Sequence, residues 1–195
     1  MSLFSRAHAA TEEPSFVIIE KVGSIEIRQY GARLAAEVVV SGSDEDARSE
    51  GFRLLADFIF GNNTARTSIA MTAPVAQQPA SEAVAMTAPV SQSRDASGKW
   101  RVRFFMPAKY TRQTLPKPNN AAVQIVDVPV ETYGVLRFSN SRSADAVIAK
   151  TAELLKGLAG SKWQSFGTPA AFFYDPPWTL PFLRRNEVAV TVRAR

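Results

Sequence analysis

Histidine and cysteine, which perform much of the acid–base, nucleophilic and metal chemistry of proteins near neutral pH, are nearly absent from this chain. Its single histidine, His8, lies near the amino terminus, and it has no cysteine. Thiolate metal sites and disulfide bonds are therefore excluded, and acid–base catalysis near neutral pH would need a residue with a strongly shifted pKa. The sequence contains no Ser-His-Asp set, no paired carboxylates in an apolar segment and no phosphate-binding loop. These observations predict a protein that is not an enzyme.

An apolar stripe that begins with a cation indicates ligand binding instead. When the residues of the first predicted helix are placed about 100° apart, one face is typical of a core contact. Beside that face lies a second group: Arg48, Phe52, Leu55 and Ile59. This group is either a wider core contact, with a loop of the protein packed over that side, or one wall of a cleft for a flat apolar ligand with an anionic group.

A proline-rich aromatic segment near the carboxyl terminus is the second candidate for ligand contact. Trp178 and Phe182 lie in it, within the run Asp175-Pro-Pro-Trp-Thr-Leu-Pro-Phe-Leu-Arg-Arg-Asn-Glu-Val188. One interpretation is that the segment plugs the end of a sheet. The other is that it forms a lid opposite the first helix.

The elements that must position these residues follow one order twice. Each half reads strand, strand, helix, strand, strand, and the halves are offset by roughly 100 residues, which predicts one α+β domain. We expect helices over residues 43–60 and 143–158, with both Met-Thr-Ala-Pro segments as strands and polar loops at 76–83, 91–99 and 111–120. The other predicted strands are 17–20, 25–30, 34–40, 100–106, 123–128, 133–138, 170–174 and 187–192. The predicted fold is a distorted antiparallel β-barrel of two pseudo-symmetric halves with two packed helices.

Composition narrows the class of protein further. The chain has 195 residues and a net charge of +5, and its lysines and arginines are scattered. No recognition-helix or aromatic–basic pattern predicts nucleic-acid binding, and no apolar run predicts a stable membrane span. We expect residues 1–15 to be a tail or a truncated export signal and residues 16–195 to be the domain. Cytoplasmic and periplasmic locations are both compatible with the sequence, and it leaves the oligomeric state open.

Several motifs resemble the SOUL/haem-binding protein family. The heptapeptide Ile69-Ala-Met-Thr-Ala-Pro-Val75 recurs almost unchanged at residues 84–90, and the doubling resembles the bacterial branch of the family. The other matching segments follow in consistent order over residues 16–193: Ile25-Glu-Ile-Arg-Gln-Tyr30, Gly61-Asn62, Phe104-Phe-Met-Pro107, Leu115-Pro-Lys-Pro118 and Pro181-Phe-Leu-Arg-Arg-Asn-Glu-Val188.

The resemblance implies non-covalent binding of haem or another porphyrin in an apolar cleft beside the first helix, for carriage or buffering. By the same resemblance Arg48 matches a basic position that faces the propionates, and Leu55 matches an apolar one. A second basic position of the helix is not kept, and a lysine of the carboxyl-terminal loop is replaced within residues 178–181. With no cysteine and no histidine in the domain, we expect no axial ligand of the usual kind. Met71, Met86 and Met106 are more typical of core positions.

Two other functions remain as alternatives. The duplicated β-β-α-β-β plan also resembles the GyrI-like effector-binding domains, which take assorted apolar or cationic compounds. An acidic residue deep in the cleft would favour that function, whereas Arg48 argues against it. A haem-modifying enzyme is the third candidate.

Overall fold

The computed structural model describes residues 11–65, 81–176 and 178–195. The two main helices are α1 (Asp44–Ile59) and α2 (Ala144–Ala159), and a short 3-10 helix spans Pro181–Leu183. The strands are β1 (Phe16–Val22), β2 (Ile25–Tyr30), β3 (Arg33–Val40), β4 (Asn63–Thr64), β5 (Val90–Arg94), β6 (Trp100–Phe105), β7 (Lys117–Pro118), β8 (Gln124–Val128), β9 (Glu131–Phe138), β10 (Trp163–Phe173) and β11 (Asn186–Ala194). Within these ranges, no helix has both the length and the apolar character needed to cross a membrane.

Nine strands form one antiparallel sheet in the order β1-β2-β9-β11-β10-β5-β6-β3-β8. The two halves of the chain, β2-β3-α1-β5-β6 and β8-β9-α2-β10-β11, occupy equivalent places in this order. If β1 is left out and each strand is replaced by its counterpart in the other half, the same order results, read from the opposite end. The two halves meet where β10 pairs with β5, and each contributes its first strand to the far side of the other. The predicted α+β class, the two β-β-α-β-β halves and their helices on one antiparallel sheet are confirmed.

The short connection between β2 and β3 forces the sheet to curl. These strands are second and eighth in the order, so a flat sheet would separate them by six spacings, roughly 29 Å. Only Gly31 and Ala32 join them, and three Cα–Cα steps reach about 11 Å. An ion pair between Arg33 of β3 and Glu131 of β9 (3.1 Å) also crosses the curl. The sheet is therefore strongly curved toward a barrel, with β1 and β8 as the ends of the hydrogen-bonded order.

Both helices begin at the serines that their sequences predict. The Ser43 hydroxyl accepts a hydrogen bond from the amide of Asp46 (3.2 Å), and the Ser143 hydroxyl accepts one from the amide of Ala146 (3.3 Å). Three acidic residues follow Ser43 in the first turn of α1, where negative charge is stabilised by the helix dipole.

Each helix covers its own hydrophobic cluster on the same side of the sheet. Leu55, Phe58 and Ile59 of α1 pack against β3 and β6, whereas Leu154 and Leu158 of α2 pack against β2, β9 and β11. The opposite side of the sheet, the inner face of the curl, has smaller apolar clusters and several buried charged groups.

Two predictions about the segment around the second Met-Thr-Ala-Pro motif are wrong. Met86 and Pro89 of that motif lie outside any strand, and Thr87 makes only an isolated bridge to Glu12. Strand β5 starts directly after the motif, so the predicted loop 91–99 shrinks to the turn between Arg94 and Trp100. Proline at the end of the motif delays strand pairing, because proline has no amide hydrogen to donate. The first copy of the motif lies outside the described residues.

Gly51 sets the distance between α1 and the sheet. A Cβ atom built at this position would lie 2.6 Å from Val102 Cγ2 and 2.7 Å from Val102 Cβ, and Val102 is a stiff β-branched residue in β6. In α2, a Cβ at Gly157 would meet only the flexible end of the Ile25 side chain, at 2.5 Å.

We expect Gly51→Ala to lower the free energy of unfolding by about 1–3 kcal/mol, because the helix must move away from β6. Gly157→Ala should change the same quantity by less than about 1 kcal/mol, because helix propensity offsets the small rearrangement. Urea unfolding of both variants beside the parent protein measures the difference. Equal stability of the two variants would contradict this account.

Candidate functional site

Arg48 lies where α1 crosses β10, half-buried against the sheet. Its guanidinium donates to Asp44 Oδ1 (3.0 Å) and to the carbonyl oxygen of Arg142 (3.0 Å), and it stacks 4.8 Å above the ring of Phe173. Burial raises the pKa of Asp44, and the Arg48 charge opposes that rise. The predicted basic position is thus held against the segment that precedes α2, with part of its charge offset by Asp44.

Phe52 lies one helical turn after Arg48 and continues the same surface. Its ring meets the ring of Phe104 edge-on, at a centroid distance of 5.3 Å, and 39% of the residue remains exposed. Below the helix, Phe173, Val90 and Phe104 are directly paired across β10, β5 and β6. Arg48 and Phe52 therefore stand on one continuous apolar row.

Leu55 and Ile59 do not form an open cleft wall. They are 0% and 1% exposed and belong to the core cluster beneath α1. The close approach at Gly51 presses the helix onto β6, so the buried stripe of the helix follows Ala47, Gly51 and Leu55. The prediction that these two side chains line an accessible cleft is corrected: they are core residues.

The C-terminal loop, residues 174–185, presents large apolar side chains to solvent. Trp178 is 82% exposed and Phe182 is 65% exposed, and Leu180 and Leu183 are exposed as well. The amide of Asn140 donates to the carbonyl oxygen of Pro181 (2.8 Å), which ties the loop to the segment before α2. The apolar side chains therefore lie on the outside of the loop and do not plug the sheet.

Arg142 joins this loop to α1, and the sequence analysis did not identify it. The backbone carbonyl oxygen of Arg142 accepts a hydrogen bond from the Arg48 guanidinium. The guanidinium of Arg142 itself donates to the carbonyl oxygen of Asp175 (3.3 Å). Burial lowers the pKa of the Arg142 guanidinium and the charges of Arg184 and Arg48 lower it further, whereas the nearby charges of Asp175 and Glu45 oppose this fall. Among the described residues, Arg142 has no carboxylate within ion-pair distance. Its position between Ser141 and Ser143, just before α2, was the only signal in the sequence.

Two cavities lie away from this surface. One, of about 270 Å³, is lined by charged groups from β2, β9 and β11 together with Phe16. The other, of about 900 Å³, is an open groove between residues 12–15, the β2–β3 turn and residues 106–113. No group of three histidine, aspartate or glutamate side chains suited to a metal ion occurs in the described part of the chain.

The comparison with protein families decides the family. The sequence model of the SOUL heme-binding protein matches residues 11–191, nearly the whole chain. The chain belongs to the SOUL heme-binding protein family. Comparison with curated protein sequences gives no match. Membership confirms the family predicted from the motifs and, at the level of the family, associates this SOUL chain with ligand binding.

Solved structures share the fold of this SOUL protein at low sequence identity. An EcmrR–DNA complex gives a TM-score of 0.62 at 8% identity over 88% of this chain, which spans 57% of that chain. The isolated EcmrR C-terminal domain gives 0.55 at 7% identity, covering 88% of this chain and 98% of that one. A hydrolase from Listeria innocua gives 0.53 at 10% identity, covering 95% and 94%. At these identities the likeness shows the fold alone.

Proposed function

We propose that this SOUL protein binds haem or a related tetrapyrrole non-covalently and without catalysis, for carriage or buffering. The proposed site is the surface between the first half of α1 and the C-terminal loop. One observation carries the proposal: the half-buried Arg142 guanidinium lies near two other arginines and bonds to the C-terminal loop, whose aromatic side chains are exposed, and no carboxylate of the described residues lies within ion-pair distance of it.

The arginines match the anionic edge of a tetrapyrrole. Haem and protoporphyrin each carry two propionates, which are ionised at neutral pH, and guanidinium groups bind carboxylates with paired hydrogen bonds. The mutual repulsion of Arg142, Arg184 and Arg48 falls when an anion binds between them. We therefore place the propionates near Arg142 and Arg48.

The apolar side chains match the macrocycle. Phe52 lies beside Arg48 on α1, and Trp178 and Phe182 project from the loop that Arg142 fixes. Burial of apolar area contributes about 25 cal/mol per Å², so one covered porphyrin face contributes several kcal/mol. Leu55 and Ile59 support this surface from below as core residues.

The donor set does not favour an iron bond. The only histidine, His8, lies outside the described residues, and cysteine is absent from the sequence. Neither arginine nor the aromatic side chains of the surface is a usual haem ligand. Iron-free protoporphyrin should therefore bind about as tightly as haem, and binding at least a hundredfold tighter for haem would contradict the proposed mode.

Soret-band titrations of the parent protein and of single variants test the site. We expect Arg142→Gln to weaken binding of both haem and protoporphyrin about tenfold, the usual loss for one charge-assisted hydrogen bond. Arg48→Ala and Trp178→Ala should weaken binding in the same direction. The matched control is Arg53→Gln on the exposed side of the same helix, where the arginine pairs with Glu50 (2.7 Å).

The proposal requires that these losses occur without unfolding. Melting temperatures of Arg142→Gln and Trp178→Ala should stay close to that of the parent, since Trp178 is exposed and glutamine at position 142 still offers a side-chain donor to the Asp175 carbonyl oxygen. If Arg142→Gln, Arg48→Ala and Trp178→Ala all bind porphyrin like the parent, the proposed surface is wrong. If the parent shows no saturable binding of either compound, the tetrapyrrole function itself is wrong.

A GyrI-like effector-binding function is the second candidate, and one buried residue favours it. Glu187 of β11 is 2% exposed on the inner face, where its carboxylate accepts a hydrogen bond from the Tyr174 hydroxyl (2.7 Å). A carboxylate among aromatic rings is suited to organic cations. However, Arg28 already neutralises it. A thermal-shift screen of porphyrins against cationic compounds separates the two functions, and loss of haem absorbance with iron release would indicate the third candidate, a haem-modifying enzyme.

A further inference from the structure

The guanidinium group of Arg28 is held on the inner face of the curled sheet by carboxylates and an aromatic ring. Arg28 of β2 donates through Nη1 to Glu187 Oε2 (2.9 Å) and through Nη2 to Glu187 Oε1 (3.1 Å). Its Nε donates to Glu26 Oε2 (2.9 Å), which also lies 2.8 Å from Nη2. All three nitrogens of the guanidinium therefore meet carboxylate oxygens, and the contact to Glu187 is bidentate, the arrangement in which guanidinium–carboxylate pairs are strongest.

The face of the same guanidinium is covered by an aromatic ring. The Arg28 Cζ atom lies 4.5 Å from the centre of the Phe16 ring, and Phe16 packs on Tyr30 at a centroid distance of 5.2 Å. A cation stacked on an aromatic face gains electrostatic stabilisation in addition to its hydrogen bonds. Glu26, Glu187, Phe16 and Tyr30 together form what we call the guanidinium cage.

The strands that supply the cage are fixed independently of Arg28. Glu187 lies on β11 and Arg28 on β2, with β9 between them, so the arginine side chain must cross a whole strand to reach its partner. The Tyr174 hydroxyl donates to Glu187 from beyond the end of β10. Three strands and Tyr174 thus hold the carboxylates in place, and the cavity of about 270 Å³ opens directly beside them.

We propose that the guanidinium cage is a binding site for planar organic cations. In the folded protein the guanidinium of Arg28, from the same chain, already occupies this site. Arg28 is then a specificity-determining residue, because its own guanidinium keeps free guanidinium compounds out of the inner face. The class of ligand follows from the geometry: a bidentate carboxylate and a stacked ring suit a guanidinium, whereas an ammonium ion donates from a single point. This site is independent of the tetrapyrrole surface.

Chemical rescue of Arg28→Ala tests the proposal. Methylguanidinium supplied below about 0.1 M should raise the melting temperature of Arg28→Ala along a saturable curve, as expected for a ligand that binds only the folded protein. In the parent protein the same compound should leave the melting temperature unchanged or lower it, because guanidinium compounds weaken apolar burial. If Arg28→Ala is unfolded in buffer, methylguanidinium should restore its circular-dichroism spectrum with the same saturable dependence.

Three controls isolate the cage. Urea, which has the same planar shape without the charge, and sodium chloride at equal ionic strength should not rescue Arg28→Ala. The double variant Arg28→Ala/Glu187→Gln lacks the central carboxylate and should not respond to methylguanidinium. Arg53→Ala, which removes an exposed arginine, should behave like the parent. Absence of any saturable effect of methylguanidinium on Arg28→Ala, or an equal effect on the double variant, would overturn the proposal.

Discussion

Replacing Glu187 by alanine is expected to lower the free energy of unfolding by about 3–5 kcal/mol, the range for a buried ion pair that loses one partner. The Arg28 side chain is 7% exposed and that of Glu187 only 2%, so the arginine that remains cannot be hydrated without opening the sheet. The Tyr174 hydroxyl also loses its acceptor. Glu26 retains one contact to Arg28, which favours the lower end of the range.

Thermal or urea unfolding measures this loss, which corresponds to a fall in melting temperature of roughly 6–15 °C for a chain of this size. The matched control is Glu50→Ala, because its pair with Arg53 is exposed to solvent and should contribute little to stability. A double variant with leucine at positions 28 and 187 should be more stable than Glu187→Ala, because it leaves no buried charge unpaired. A loss below about 1 kcal/mol for Glu187→Ala would show that the pair is solvated.

Local signals explain why most of the fold could be predicted from the sequence. The β1–β2 hairpin follows from two apolar, β-branched segments on either side of Gly23, whose positive φ of 60° suits a tight turn. Ser43 and Ser143 are strong amino-terminal caps, and both helices begin there. Each of these signals lies within a few residues of the feature it specifies, so no knowledge of long-range contacts is needed.

The site was predicted less completely, because it depends on contacts between distant segments. Leu54 and Leu55 are neighbours in sequence, and only the close approach of Gly51 to β6 determines which of them is buried. Arg142 gains its role from Arg48 and from Asp175, 94 and 33 residues away. The periodicity of one helix contains neither piece of information.

The buried charges of the inner face were also invisible in the sequence. Glu187 alternates with core valines along β11, as a solvent-facing residue does in a sheet with one exposed face. It is buried because the short β2–β3 connection curls the sheet and brings the inner faces of distant strands together. The same curvature brings Arg28, Glu187 and the surrounding tyrosines into one hydrogen-bonded group.

We expect the protein to unfold steeply above about pH 10–11, because one buried and two partly buried tyrosines keep their protons in the folded state. Burial raises the pKa of Tyr174, with Glu187 raising it further. Burial also raises the pKa of Tyr133, beside Glu131, and that of Tyr30. An ordinary tyrosine has a pKa of about 10, so above that pH the unfolded chain releases protons that the folded chain retains.

The direction in which stability changes with pH follows from this difference in bound protons between the unfolded and folded states. Stability is fully present below the unfolded pKa and is lost as the pH rises toward the folded values, by about 1.4 kcal/mol per pH unit for each tyrosine. While all three tyrosines retain their protons, they remove up to about 4 kcal/mol per pH unit, enough to unfold a typical domain within a few units. Tyrosinate absorbance and far-ultraviolet circular dichroism, recorded together, should change in one transition. Tyr174→Phe should reduce the steepness by about one third, because one linked proton is removed. Titration of these tyrosines near pH 10 with an unchanged circular-dichroism spectrum would contradict the buried network.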